Sequence, residues 1–320
     1  MAKTTRLVKT LSKLIFPVVL LVVLAIAGGS AWLTFKAATP PTARYLVTPE
    51  KYGQLSSRGA QVTEETWTNR DGTSSRGWLL RGADNAPGVI LYHKYGADRS
   101  HILNLGVKLN ESTNFTVLMP DLRAHGDSPS VKSSTFGGCE GEDAMSAAEF
   151  LKNLKNTNQQ TLVGKDIGVY GIELGALAAL NAAANDKGIK AIAVDSVPVD
   201  SDQLLAETVN RRFPFASILT SRMAKFGTYL YYYDGCYKRE TTCEMAKRLD
   251  NRSVLLLAGL DAPTLQDATT KLARCFTATS KVESKLDLSP SGFSIINSSI
   301  EQSELYDQRL IDFFRRTLLE

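Results

Sequence analysis

Histidine is scarce in this sequence: three occur in 320 residues, at positions 93, 101 and 125, and no later position carries one. Chemistry that needs an imidazole in the second half of the chain is excluded. Cysteine is nearly as rare. Cys139, Cys236, Cys243 and Cys275 form no CxxC pair and no His/Cys cluster, so metal-ligand spacing is missing and no metal or cofactor is expected. A single long apolar run excludes a multi-span transporter. Collagen and disorder are excluded by 23 Gly, 11 Pro and 43% hydrophobic residues. The chain has no internal repeat and no low-complexity tract. A basic surface is also missing. Of the 37 cations, five (Lys3, Arg6, Lys9, Lys13, Lys36) lie in residues 1–36, where no acid occurs, leaving 32 against all 33 acids. Nucleic acid is therefore not an expected partner.

The apolar run, Leu14 to Phe35, carries no charge. At 1.5 Å per residue it spans roughly 33 Å, about one bilayer core. Four cations precede it, so the positive-inside bias keeps residues 1–13 in the cytoplasm as a basic tail. Residues 14–36 read as a transmembrane anchor with Trp32 at the outer interface. The membrane is the expected partner of this helix, and the body lies outside the cytoplasm, in a periplasmic or extracellular space. A cleaved signal peptide is the competing reading, because Ala25-Ile26-Ala27 and Ser30-Ala31 offer small residues to a peptidase. Export permits disulfides. Cys236 and Cys243 sit close enough for a short looped bridge, although four cysteines allow three pairings. Sequons begin at Asn110, Asn114, Asn251 and Asn297.

Residues 37–55, with Pro40-Pro41, read as a stalk, and 56–320 as the folded domain. Two β-rich runs, Val62–Thr68 and Ser75–Leu80, flank the hairpin-type turn Asn69-Arg70-Asp71-Gly72. Short apolar strands follow at 88–93, 115–120, 167–171, 191–195 and 254–259, alternating with amphipathic stretches such as Asp143–Lys155 and Leu174–Ala184. This alternation predicts an α/β fold, a mainly parallel sheet with helices on both faces. Gly292–Asn297 reads as a last strand and about Glu301 to Leu318 as the closing helix. The interval 199–253 breaks the rhythm and reads as a helical cap insertion over the carboxyl edge of the sheet. Its run Tyr229–Tyr233 is taken as cap packing.

Three blocks carry a family resemblance. His93-Lys94-Tyr95-Gly96-Ala97-Asp98-Arg99 follows an apolar strand. Asp121-Leu122-Arg123-Ala124-His125-Gly126-Asp127-Ser128 follows the next. Tyr170-Gly171-Ile172-Glu173-Leu174-Gly175 lies at a strand-to-helix junction. In this order they resemble the α/β-hydrolase family, particularly its membrane-anchored or exported branch near the dienelactone hydrolases and serine aminopeptidases. The blocks match that family's oxyanion loop, its D-x-R-G-H-G-x-S segment and its nucleophile elbow G-x-S-x-G. The resemblance covers about residues 60–318 and implies the α/β-hydrolase fold. It does not by itself imply activity.

The departures fall on the reacting residues. Gly171 and Gly175 keep the strained elbow possible, but its tip is Glu173, which cannot act as an alkoxide. Carboxylate nucleophiles of relatives on this fold are aspartates, and Glu displaces the attacking oxygen by about an ångström or more. By resemblance Asp261, after Leu257-Ala258-Gly259-Leu260, fills the acid slot. The family's histidine belongs in the loop after the last strand, where Asn297 stands nearest to the missing position; an amide cannot shuttle a proton. His93 and His125 read as loop-ordering residues and His101 as a surface one; the alternative is a Glu173/His93 acid-base pair. Ser128 and Ser294 lack both a base and the elbow. The backbone N–H groups of Tyr95 and Leu174 occupy the oxyanion donor places. Since a buried carboxylate calls for a compensating cation, Lys94, or Arg99 in its stead, is expected to pair with Glu173. His93, Lys94, Tyr95 and Leu174 thus form the candidate binding set. The expected function is that of an inactive hydrolase-fold protein, a binding or assembly module for an unidentified protein or small molecule. The alternative is a hydrolase of ester-like or halide-bearing molecules that uses Glu173.

Overall fold

A computed structural model describes residues 2–41, 45–53, 61–215, 217–233 and 235–319. Positions 42–44 and 54–55 of the expected stalk lie outside the described residues. The uncharged run belongs to one long helix, α1 (Ala2–Ala38). Its stretch Ile15–Ala38 is long and apolar enough to cross a membrane. The chain divides into two compact bodies: residues 1–38 with 205–235, and residues 39–204 with 236–320.

The larger body begins with Tyr45, whose ring lies 5.1 Å from that of Trp78, and a short helix α2 (Pro49–Gly53). Then come β1 (Val62–Thr68), β2 (Ser74–Leu80), β3 (Ala86–Tyr92), α3 (Leu103–Thr113), β4 (Thr116–Pro120), α4 (Gly138–Asn153), β5 (Val163–Ile172), α5 (Leu174–Asn185) and β6 (Ile189–Asp195). The cap interval holds α6 (Ser201–Arg212), α7 (Ser217–Tyr231) and α8 (Thr242–Ala246). After it follow β7 (Ser253–Gly259), α9 (Pro263–Leu272), β8 (Lys281–Leu288) and α10 (Ile300–Leu319). The strands form one sheet in the order β1-β2-β4-β3-β5-β6-β7-β8. β1–β2 and β2–β4 are antiparallel and every later pair is parallel.

Central strands such as Val89-Ile90-Leu91 and Ile192-Ala193-Val194 are apolar at every position because both faces are covered. α3 and α10 pack on one face: a Cβ on Gly168 would meet the Phe314 ring at 2.7 Å. α4 and α5 cover the other, where a Cβ on Gly88 would meet Leu151 at 2.8 Å and the Tyr92 hydroxyl donates to Ala144 O. The parallel register sets Tyr92 opposite Gly171, Ile172 opposite Asp195, and Asp195 opposite Leu257. Four strand ends therefore line up, and the loops after β3, β5, β6 and β7 open on one edge.

Two expectations are corrected. The last strand is β8 (Lys281–Leu288), not Gly292–Asn297, which is a loop ending in a 3-10 turn, Ile295–Asn297. As an edge strand, β8 leaves most of its residues exposed and alternates charge (KVESKLDL), so it lacks the apolar run of a buried strand. The disulfides are Cys139–Cys236 and Cys243–Cys275, not Cys236–Cys243. Cys236 lies against the start of α4, where a Cβ on Gly138 would sit 1.8 Å from its carbonyl oxygen. Cys243 on α8 faces the residues just past α9.

Candidate functional site

The turn between β5 and α5 is a nucleophile-elbow geometry. Glu173 has φ 52° and ψ −103°, a region that costs about 1–3 kcal/mol for a residue with a Cβ. The flanking glycines are steric necessities. A Cβ on Gly171 would lie 2.1 Å from Gly175 O, and one on Gly175 would lie 2.5 Å from Tyr92 O. Glu173 N donates to Asp195 O, and Glu173 O accepts from Ala176 and Leu177 N as α5 begins. Leu174, the first residue of α5, is fully buried.

Glu173 is fully buried. Its Oε2 accepts from Tyr95 N at 3.0 Å, so the backbone donor expected to cradle an oxyanion serves the carboxylate of the protein's own chain. Lys94 has a different partner from the one expected. Its ammonium donates to Phe293 O and lies 4.4 Å from the centre of the Phe293 ring. Arg99 is also turned elsewhere: its guanidinium pairs with Glu64 at 2.9 Å and Asp121 at 3.4 Å and stacks over Tyr45 and Trp78. Beside this region His93, Lys94, Ala97, Ile172 and Phe293 help to line a cavity of only about 20 Å³, close to the room needed for one water.

The histidines hold loops. His93 Nε2 accepts from Leu122 N at 3.0 Å, and its Nδ1 lies 2.8 Å from Lys94 O, to which it donates. His125 Nε2 accepts from Gly96 N at 3.0 Å, and its Nδ1 donates to Arg123 O at 2.7 Å. Those partners fix neutral tautomers and occupy both nitrogens of each ring. Burial, reinforced for His93 by the neighbouring His125, pushes the two pKa values down to about 3 and about 4. Neither ring is offered to Glu173 as a proton carrier. His101 pairs with Asp98 at 3.4 Å. The Asp121 block is equally structural: Asp121 receives Tyr45 and Arg99 N, and Arg123 grips Asp143 and Asp71.

Asp261 stands in the loop after β7, with Ser291 as its partner. Ser291 N and Oγ donate to its two carboxylate oxygens at 3.1 and 3.0 Å. Asn297 does not join them; it is exposed in the 3-10 turn. The residue opposite the acid is thus Ser291, in the loop after the true last strand. Ser291 also lies 3.3 Å from Ser196 Oγ. Ser196 in turn donates to Asp195, which accepts as well from Tyr306 at 2.6 Å and Gly292 N at 2.9 Å. Asp195 is fully buried, and burial raises its pKa despite these donors. Tyr170 and Tyr306 share a hydroxyl contact at 2.9 Å. Sequence reasoning missed Asp195, Ser196, Ser291 and Tyr306. Asp195 alone left a signal, as an acid ending an apolar strand.

The comparisons agree with this architecture. An esterase from Pyrococcus furiosus superposes with a TM-score of 0.64 at 20% identity, over 88% of this chain and 97% of that one. An α/β hydrolase from Penicillium sp. sh18 gives 0.58 at 16%, over 81% and 100%. A dienelactone hydrolase from Anabaena variabilis gives 0.55 at 13%, over 81% and 99%. Among curated sequences, a thiohydrolase of Eupenicillium brefeldianum is 30% identical over 118 residues, 37% of each chain. The similarity to this relative therefore spans little more than a third of its length. No family profile matches. The chain has the α/β-hydrolase fold.

Proposed function

We propose that this chain is a membrane-anchored α/β-hydrolase-fold protein whose hydrolytic position is filled by Glu173, and that it works as a binding or assembly module outside the cytoplasm. One observation carries the reading: the Glu173 carboxylate accepts the Tyr95 N–H at 3.0 Å while fully buried. A side-chain carboxyl group resident at the oxyanion donor occupies the place where a substrate's negative charge would build up, which is the event such donors stabilise. Among the described residues no imidazole serves as a proton relay. Ser291 faces Asp261, and the buried imidazoles are committed to backbone groups. Removing the nucleophile or the base from a serine triad costs about a millionfold in turnover. Support for the anchor is the apolar helix Ile15–Ala38, and the two disulfides suit an oxidising compartment.

The thiohydrolase match favours a second reading, in which Glu173 attacks an ester or thioester carbonyl directly. Turnover of short p-nitrophenyl esters by wild type and Glu173→Ala separates the two. Equal background rates, with no labelling by a fluorophosphonate, are expected. A rate that depends on Glu173 rejects the silent site.

A further inference from the structure

Small and hydroxylic residues of α7 face α1. Ala224, Gly227 and Thr228 are buried. A Cβ on Gly227 would fall 2.2 Å from Ser30 O and 2.3 Å from Thr34 Oγ1, and one on Gly29 would meet Met223 at 3.3 Å. The Thr34 hydroxyl donates across the pair to Ala224 O at 2.8 Å. On the opposite side, separated by the 100° helical step, Ile218 (73% exposed), Leu219 (60%), Phe226 (50%), Tyr229 (67%) and Leu230 (46%) stand uncovered. A helix in water places its polar residues outward; this one is turned inside out, with close small-residue packing within and bulky apolar side chains outside. That is the pattern of helices solvated by lipid.

Position points the same way. If Ile15 begins the hydrocarbon core, about 20 residues at 1.5 Å cross its roughly 30 Å, which ends the core near Phe35. α7 lies beside Gly29, Ser30 and Thr34, in the last third of that span, and α1 itself leaves its large apolar side chains from Ile15 to Ile26 exposed. Fifteen residues are too short to cross. Aromatic residues collect at this level: Trp32 lies 5.8 Å from Phe213, and Phe35 lies 6.1 Å from Tyr231. Arg222 and Lys225 interrupt the apolar face with long stems able to carry their charges up to phosphates.

We infer that α7 is a second membrane element, seated in the outer leaflet beside α1, with Ile218, Leu219, Phe226, Tyr229 and Leu230 against acyl chains and Arg222 and Lys225 at lipid phosphates. This rests on the membrane-anchor reading of α1 and extends it: the attachment is a helix pair instead of a single tether.

Because all four cysteines are paired, an added cysteine is uniquely addressable. The full chain would be reconstituted in phosphatidylcholine/phosphatidylglycerol vesicles. An environment-sensitive fluorophore would sit at Leu219→Cys or Phe226→Cys on α7, at Ile26→Cys on α1, or at exposed Lys271→Cys as the aqueous reference. Quenching by nitroxide-bearing lipids and by aqueous iodide would be read at each position. The expected result is lipid quenching at positions 26, 219 and 226, several-fold stronger than at 271, and protection there from iodide. Lipid quenching at 26 combined with iodide quenching at both α7 positions overturns the inference and spares the anchor. Iodide quenching at all four positions overturns both. Protection of the α7 positions from both quenchers, relieved by dilution with empty vesicles, identifies a second copy as the occupant and also overturns the inference.

Discussion

The elbow at β5–α5 and the loop after β8 stand on the same sheet edge, yet they are held by different forces. At the elbow the restraint is steric: Gly171 and Gly175 approach backbone oxygens so closely that no Cβ fits. The tip residue scarcely matters to that geometry, and a glutamate sits there with φ 52°. In the loop after β8 the restraint is a chain of polar contacts, from Asp261 through Ser291 and Ser196 to Asp195 and Tyr306. Every member depends on a partner far away in sequence. A backbone-built site keeps its shape when its chemistry changes, whereas a side-chain-built one is defined by its partners.

Gly171→Ala attacks the steric side and has the largest expected effect. With Gly175 O at 2.1 Å from the added carbon, overpacking of backbone against backbone is expected to cost about 3 kcal/mol or more. Thermal unfolding of the full chain in detergent should show it, or the protein should fail to accumulate. A melting temperature like that of wild type would break the contrast.

Acid comes next. His93 and His125 titrate near 3 and near 4 when folded, against an ordinary 6.5. Their folded pKa values are lowered, so the unfolded chain binds more protons. The stability they contribute is complete above about 6.5 and is lost as pH falls toward 4. The slope expected is about 1.4 kcal/mol per pH unit for each ring inside that window. Melting temperatures followed from pH 7 down to 4.5 should fall accordingly, and His125→Gln should flatten the curve.

Tyr306→Phe tests the polar side. It strips one donor from the buried Asp195 carboxylate, a loss of about 1–3 kcal/mol. Burial raises the Asp195 pKa when folded, so its contribution is present below its ordinary value of 3.8 and is lost as pH rises through the folded pKa. Without the Tyr306 donor the folded pKa rises further and the loss extends to higher pH. Urea midpoints of both proteins across the acid range would reveal that extension.

Glu173→Ser should change least. It restores the nucleophile of the elbow but supplies no imidazole, so ester turnover should stay at background. Only with Ser291→His added, which sets a ring beside Asp261, should turnover exceed that of either single variant.

The same contrast decides how much could be read in the sequence. The elbow, the Asp121 block and the Asp261 loop stand out through their resemblance to family motifs, which are short and contiguous in sequence. The strand-helix rhythm predicts a mainly parallel sheet, but not the order of its strands. The loop after β8 is not legible: its edge strand is charged and mostly exposed, and nothing local in the sequence marks Ser291, instead of Asn297, as the residue that meets Asp261. Lys94 escaped for a similar reason, since its partner Phe293 lies 199 residues on. The disulfide Cys139–Cys236, separated by 97 residues, could not come from spacing.

The most direct measurement is thioester and p-nitrophenyl ester turnover by wild type beside Glu173→Gln, which keeps the shape of the side chain and an oxygen for Tyr95 N–H but removes the carboxylate. Identical rates, equal to that of the buffer, are expected if Glu173 fills the site without reacting. A wild-type rate about a hundredfold above that of the amide variant, equivalent to about 2.7 kcal/mol of barrier, would contradict it.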